Sequence, residues 1–275
     1  MTKEPYQKID NHKFGSWAVV TGASSGIGEQ FARQLAASNI NLVLVARRLP
    51  VLNKLGDSLT KEYGVSYRAV RVDLTDENFL SDIVKATKDI EVGLVVSNAG
   101  VGATREFLTA DLPTLLESVR VNVSAHVQLA HHFGKLMSKR GRGGILLVSS
   151  LMGLQGVPYM ADYGAAKAYI LSLAEALHAE LKPSGVNVAA LLPGPVATPM
   201  LTELGLASQD SSMKPMSAEQ CAAEGLKAIT SNTAVRIPGV ANRVISKLPR
   251  SVVTGILGKM NAKVLASRNA KTSKD

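Results

Sequence analysis

Short runs of β-branched and aliphatic residues alternate with longer stretches of helical period, and this alternation limits the chain to few architectures. "SWAVVT" at 16 is followed by the helical pattern "GEQFARQLAASN", then by "NLVLVA" at 41. The pattern goes on through a helix from Val51 to Tyr63, the alternating run "VSYRAVRVD" at 65, a helix near 76–89, and "VGLVVSN" at 92. Further strands are expected at "GILLVSS" from 144, "VNVAALLPG" from 186 and "AVRIPG" from 234, with long helices around 111–139 and 160–182. Parallel strands need crossover connections, and helices supply them. The expected fold is therefore α/β, a doubly wound parallel sheet of about seven strands with helices on both faces. Without a repeat or a linker, residues 1–275 read as one domain, with a core over 14–240 and a C-terminal extension over 241–275.

Composition narrows the functional classes. A content of 46% hydrophobic and 19% charged residues suits a globular protein that buries a sizeable core. Cys221 is the only cysteine, so no intramolecular disulfide forms, and its expected place is the apolar core. The first fifteen residues lack the apolar segment of a signal peptide or anchor, and no run reaches the length of a membrane span. A cytoplasmic protein, at most peripheral to a membrane surface, is expected. The net charge of +9 is unevenly placed. Nine cations from Arg236 to Lys274 face one acid, Asp275, leaving the first 235 residues near neutrality at +1. Basicity confined to a tail gives no reason to expect nucleic-acid binding by the body.

The segment "VVTGASSGIGEQ" places Gly22, Ser24, Ser25, Gly26, Ile27 and Gly28 between the first strand and its helix. A turn without side chains admits a pyrophosphate, and a helix N-terminus offers it free N–H groups. About twenty residues on, where an NAD-binding fold carries an acid for the ribose, stands Ala46, followed by Arg47 and Arg48. A guanidinium pairs with a 2′-phosphate that a carboxylate would repel, which favours NADP(H). In "YGAAK", Tyr163 and Lys167 lie four residues apart on one helical face. The ammonium is expected to favour the ionised phenol and bring proton transfer closer to neutral pH. The histidines His12, His126, His131, His132 and His178 have no metal-ligand spacing, so no metal is expected, and surface or interface positions are expected for them.

Together with "VDL" at 72, "SNAG" at 97, "VSS" at 148 and "PGPVATP" at 193, these motifs make the chain resemble the compact short-chain dehydrogenase/reductase superfamily over residues 14–240. The resemblance implies catalytic roles for Asn122, Ser150, Tyr163 and Lys167. Thirteen residues before the tyrosine, Ser150 rather than Ser149 is the family's serine. It also implies that Asp73 and Leu74 bracket the adenine, that Asn98, Ala99 and Gly100 support the cofactor, and that Pro193, Gly194, Val196 and Thr198 close over the nicotinamide. Ser97 departs from the second asparagine that many members carry. By resemblance Lys167 also holds the nicotinamide ribose, and Asn122 joins a proton relay through water. The implied activity is NADPH-dependent reduction of an apolar carbonyl, such as a 3-oxoacyl, steroid or xenobiotic ketone or aldehyde. Leu151, Met152, Val157, Met160, Met200, Leu201 and Leu204 flank the site. The alternative is an idle NADP-binding sensor or scaffold. A homodimer or homotetramer through the helices bearing Asn122 and Tyr163 is implied by the family alone.

After Pro249 the extension places Val253, Leu257, Met260 and Val264 on one helical stripe and Lys259 and Lys263 on another side. That stripe is expected to dock on the chain's own substrate loop or a sister subunit. An anionic membrane surface and an acidic acyl-carrier partner are the other candidates.

Overall fold

The computed structural model describes residues 8–206 and 214–272, without the side chains of 269–272. In chain order the elements are α1 (Asn11–Phe14), β1 (Trp17–Thr21), α2 (Gly26–Ala37), β2 (Asn41–Ala46), α3 (Leu49–Tyr63), β3 (Tyr67–Arg71), α4 (Phe79–Thr87) and β4 (Val92–Ser97). There follow α5 (Leu112–Val119), a π-turn (Arg120–Ser124), α6 (Ala125–Arg140), β5 (Gly143–Val148), α7 (Ala161–Leu181) and β6 (Val186–Leu191). The chain continues with β7 (Val196–Ala197), α8 (Pro199–Glu203), β8 (Met216–Ser217), α9 (Ala218–Thr230), β9 (Val235–Arg236), α10 (Val240–Ile245) and α11 (Arg250–Thr272).

Seven strands form one parallel sheet in the order β3-β2-β1-β4-β5-β6-β9, and β7 and β8 make a separate pair. Successive strand residues enter opposite cores, as a two-residue period requires. Ala18, Val20, Leu42, Leu44, Leu94, Val96, Leu146 and Leu191 face the layer built by α2, α3 and α9 around Phe31, Leu35, Leu52 and Leu226. Val19, Val43, Val95, Ile145, Leu147 and Val188 face the opposite layer, around Ile83, Leu129, Phe133 and Ile170. Burial on both sides explains why the strands read as continuous apolar runs. Cys221 lies inside the first layer, where burial pushes its thiol up to about 12.

The winding reverses between β1 and β4, because β2 and β3 extend one way from β1 and β4, β5 and β6 the other. A crevice opens at such a switch point beyond the C-terminal strand ends. Thr21 and Ser97 end the two strands, so the turns that follow them face the crevice from either side.

Besides the short α1, α8, α10 and the β7–β8 pair, which were not expected, three elements depart from the sequence reading. The single long helix expected over 111–139 is divided by the π-turn at Arg120–Ser124, which contains Asn122. Helix α9 was not expected, although Ser217 accepts a hydrogen bond from the Gln220 backbone N–H, a recognisable S-x-x-Q start. The last strand shrinks to Val235–Arg236 at the sheet edge.

Candidate functional site

The β1–α2 turn is shaped first by the chain's own packing. Gly22 has a φ of 67°, and a Cβ there would stand 2.9 Å from the Asn98 Nδ2 atom. At Gly28 a Cβ would meet the Gly22 carbonyl oxygen at 2.2 Å, so the helix can approach the turn only with glycine at that position. Asn98 donates from Nδ2 to the Thr21 carbonyl, and the Thr21 hydroxyl oxygen accepts from the Asn98 and Ala99 backbone N–H groups. These bonds join the two sides of the crevice. Ser25 precedes α2 without a side-chain cap, so the first N–H groups of the helix are free to receive an anion. Arg48 donates to the carbonyl and hydroxyl oxygens of Ser24, tying the end of β2 to this turn.

One cavity of about 1480 Å³ runs from this turn across the crevice. Gly22, Ser24, Ser25, Gly26, Ile27, Arg47, Arg48, Asp73, Leu74, Asn98, Ala99 and Gly100 line one part of it. Ser150, Tyr163, Lys167, Pro193, Gly194, Val196 and Thr198 continue the lining. Gly28 and Asn122 are not on the wall; they stand behind it and shape it. Asp73 accepts from the Thr75 N–H and hydroxyl, and those bonds, helped by the Arg47 charge, hold its carboxyl below the usual range. The free helix N-terminus, the Arg47 side chain and a continuous groove between them fit an elongated, phosphate-bearing dinucleotide.

Tyr163 and Lys167 occupy the first turns of α7, both buried. Lys167 Nζ donates to the Val148 carbonyl at 3.0 Å and sits 5.6 Å from the centre of the Tyr163 ring. Ser149 and Ser150 part company at the end of β5. The Ser149 hydroxyl donates to the Lys167 carbonyl at 2.7 Å, which fixes it as a strand-to-helix brace. Ser150 begins a short 3₁₀ turn by accepting from the Met152 N–H, and it lines the cavity together with Tyr163.

The lowered tyrosine pKa expected from the lysine is not a property of the chain alone. Burial raises the Tyr163 phenol, the Ser150 hydroxyl draws it partly back, and the dominant effect on Lys167 is also burial, which lowers its ammonium to about 8. Desolvation penalises each charge more than the neighbouring groups reward it.

Asn122 is completely buried in the π-turn. Its Nδ2 donates to the Val101 carbonyl at 2.7 Å and to the Ser118 hydroxyl, and its Oδ1 accepts from the Val101 N–H at 3.1 Å. The amide thereby clamps the loop after β4. A Cβ at Gly100 would lie 3.0 Å from Asn122 Oδ1 and 3.3 Å from Lys167 Nζ, so the two side chains converge on that glycine.

His126 corrects the expectation of a surface or interface residue. It is buried, with Nδ1 2.8 Å from the Ser97 hydroxyl and Nε2 3.1 Å from the Ala99 carbonyl. A carbonyl only accepts, so Nε2 carries the proton and Nδ1 accepts from Ser97. Burial, with the Lys167 charge in support, lowers this imidazole to about 3 and keeps it neutral. Ser97, the departure in "SNAG", thus acquires its partner from the next turn of α6. His178 bonds the Val188 carbonyl, and no metal-binding cluster occurs among the described residues.

Beyond Ser150 and Tyr163 the cavity turns apolar. Leu151, Met152, Met200, Leu201 and Leu204 line it, whereas Val157 and Met160 pack behind Tyr163 as part of its support. Helix α11 closes this end with Val253, Leu257, Met260 and Val264. It is fastened to both sides of the opening. Thr254 and Asn261 donate to the carbonyls of Gly156 and Pro158, and Arg268 donates to that of Glu203. Sequence reading missed Arg105 on the wall, held by its backbone N–H to the Tyr159 carbonyl at 2.8 Å.

The chain is similar to known proteins over most of its length. The sequence model of the family described as short chain dehydrogenase matches residues 16–209. A 7beta-hydroxysteroid dehydrogenase of Collinsella aerofaciens is 30% identical over 189 residues, 69% of this chain and 72% of that protein. A very-long-chain 3-oxoacyl-CoA reductase of Anas platyrhynchos is 30% identical over 259 residues, 92% of this chain and 82% of the relative. Among solved structures, one described for 7beta-hydroxysteroid dehydrogenase stereoselectivity superposes with a TM-score of 0.83 at 26% identity, covering 90% of this chain and 98% of the other. A short-chain dehydrogenase from Sphingobium yanoikuyae in complex with NADPH gives 0.76 at 28% identity, over 85% and 96%. With the glycine turn, the buried Tyr163–Lys167 pair and a match over most of its length, the chain belongs to the short-chain dehydrogenase family of oxidoreductases.

Proposed function

We propose that the chain is an NADPH-dependent reductase of an apolar carbonyl compound, of the 3-oxoacyl, steroid or bulky xenobiotic kind. The observation that carries this reading is the position of Ser150 and Tyr163 between a groove ending at Arg47 and a chamber walled by Leu151, Met152, Met200 and Leu204. A nicotinamide cofactor supplies the hydride when bound. Ser150 donates to the substrate oxygen and orients it, and Tyr163 gives that oxygen its proton as negative charge develops. The raised pKa suits this direction, because a phenol that holds its proton at neutral pH is ready to donate it. Lys167, cationic below about 8, faces the phenolate left behind. Asn122 keeps the Val101 loop in place against Lys167.

Preference for NADPH is supported by Ala46 at the end of β2 and by Arg47 on the cavity wall. Relatives reinforce the substrate class, since their names carry a steroid and a long acyl chain. We also assign a homodimer or homotetramer to the faces of α5 and α7, where Leu112, Leu116, Val119 and Tyr169 are exposed. NADPH oxidation followed by absorbance against a panel of steroid, 3-oxoacyl and aromatic ketones tests the reading. Turnover of none of them, or equal affinity for NADH and NADPH, overturns it.

A further inference from the structure

We infer that the outer face of α10 and α11 docks on an anionic membrane surface and takes apolar substrate from it. The docking stands on its own observations; the delivery rests on the apolar-carbonyl reading above. Val240 and Val244 of α10, Leu248 of the connection and Val252 and Ile256 of α11 are all exposed, by 68, 59, 43, 47 and 57%, and Leu248 and Ile256 among them also reach the cavity wall. A soluble surface seldom leaves that many aliphatic side chains in series without a use. Arg243, Lys247, Arg250 and Lys259 stand exposed among them. No acidic residue occurs between Glu224 and Asp275, so the charge of this segment is not balanced along the chain.

Aliphatic residues interleaved with cations match a bilayer interface, where the first enter the acyl boundary and the second meet anionic headgroups. A second copy of the chain is a poorer occupant, because an isologous contact would set two segments of the same strong positive charge against each other. An acidic protein would satisfy the cations, yet it gives no reason for five protruding aliphatic side chains.

The same helix connects this surface to the chemistry. Val253 and Leu257 of α11 turn inward onto the chamber, and Ile256, Met260 and Lys263 are both exposed and part of the cavity lining. The mouth therefore opens at the rim of the proposed contact. An apolar ketone dissolved in the bilayer would reach Tyr163 along α11 without crossing water.

The test is sedimentation of the full chain with phosphatidylcholine vesicles, with and without phosphatidylserine, at low and high salt. Binding to the anionic vesicles at low salt, released by high salt, is expected. Two variants outside the cavity lining probe it, Val244→Glu with Val252→Glu, and Lys247→Glu with Arg250→Glu. Each pair is expected to weaken vesicle binding by about tenfold or more, the second because each cation removed near the surface costs about fivefold and the first because carboxylates replace side chains that would enter the acyl boundary, while turnover of a small water-soluble ketone persists. A wild type that stays in the supernatant at low salt overturns the inference, and so does salt-independent binding to uncharged vesicles. If both variants instead dissociate a dimer, or abolish capture by an acidic carrier protein without affecting vesicles, the face belongs to that partner and the inference fails. Sedimentation reads no turnover, so failure here is distinguishable from failure of the reductase reading.

Discussion

Tyr163 and His126 show how burial sets the working charge of two residues near the crevice. Tyr163→Phe is expected to lower turnover by about 10²- to 10⁴-fold while NADPH binding, measured by fluorescence titration, changes little. Retention of a tenth of the activity would remove the phenol from its role as acid. For His126 the effect is on stability. The folded pKa is near 3 against an ordinary value of 6.5, so below pH 6.5 the unfolded chain takes up a proton that the folded chain refuses. Stability is thus lost as pH falls from 6.5 towards 3, by about 1.4 kcal/mol for each pH unit from this residue alone. Urea midpoints across that range should show the slope, and His126→Asn should flatten it. Ser97→Ala leaves the buried Nδ1 without a donor and should cost about 1–3 kcal/mol, read from the same titration. Arg47→Ala should remove about 1.5–3 kcal/mol of the preference for NADPH over NADH, the scale of a hydrogen bond to a charged group.

Among the elements, the π-turn and α11 carry the most consequence. A π-turn lets a helix hold one residue out of the usual register, and here the Asn122 amide reaches the Val101 backbone as well as the Ser118 hydroxyl one turn back. The same side chain in an unbroken helix would compete with local backbone bonds. Helix α11 turns Val253 and Leu257 onto the chamber while Val252 and Ile256 are exposed beside Arg250 and Lys259. Its attachment rests on few bonds. The Asn261 amide is buried, with Nδ2 on the Pro158 carbonyl and Oδ1 without a partner. Asn261→Ala should therefore loosen α11 against Gly156–Pro158, raising KM for bulky ketones severalfold with little change in kcat for small ones. Steady-state kinetics with the two substrate sizes checks this. Equal effects on both would make Asn261 a general packing residue.

The whole molecule is a sheet whose reversal of direction creates a crevice, with a long apolar chamber added beside it. A ligand that binds only the folded state stabilises it by mass action, so NADPH at a hundred times its Kd should add about 2.7 kcal/mol. The thermal midpoint should rise accordingly, and by much less with NADH at the same concentration. For assembly, Leu112, Leu116 and Val119 at intervals of four and three make one exposed stripe on α5. Leu116→Glu is expected to shift the sedimentation coefficient to that of a monomer, and an unchanged coefficient would place the contact elsewhere. Among the described residues no helix is long and apolar enough to cross a membrane.

The strand-helix alternation and the order of the motifs were legible because they are local. Runs such as "NLVLVA" read as strands by composition, and Tyr163 and Lys167 share a face by helix geometry alone. What the chain does with Ser149 and Ser150 was not legible by the same route. Their separation into brace and site residue depends on the Lys167 carbonyl lying over one hydroxyl and not the other. Likewise His126, a polar residue in a helical pattern, reveals its buried bond to Ser97 only when α6 is laid against β4. The sign of the Tyr163 shift was set in the same way. Sequence spacing puts a cation near the phenol, but how far the phenol is removed from water is decided by Val157, Met160 and Leu204 packed around it. Local periodicity is written into neighbouring residues, whereas desolvation and long-range hydrogen bonds depend on which distant segments the fold brings together.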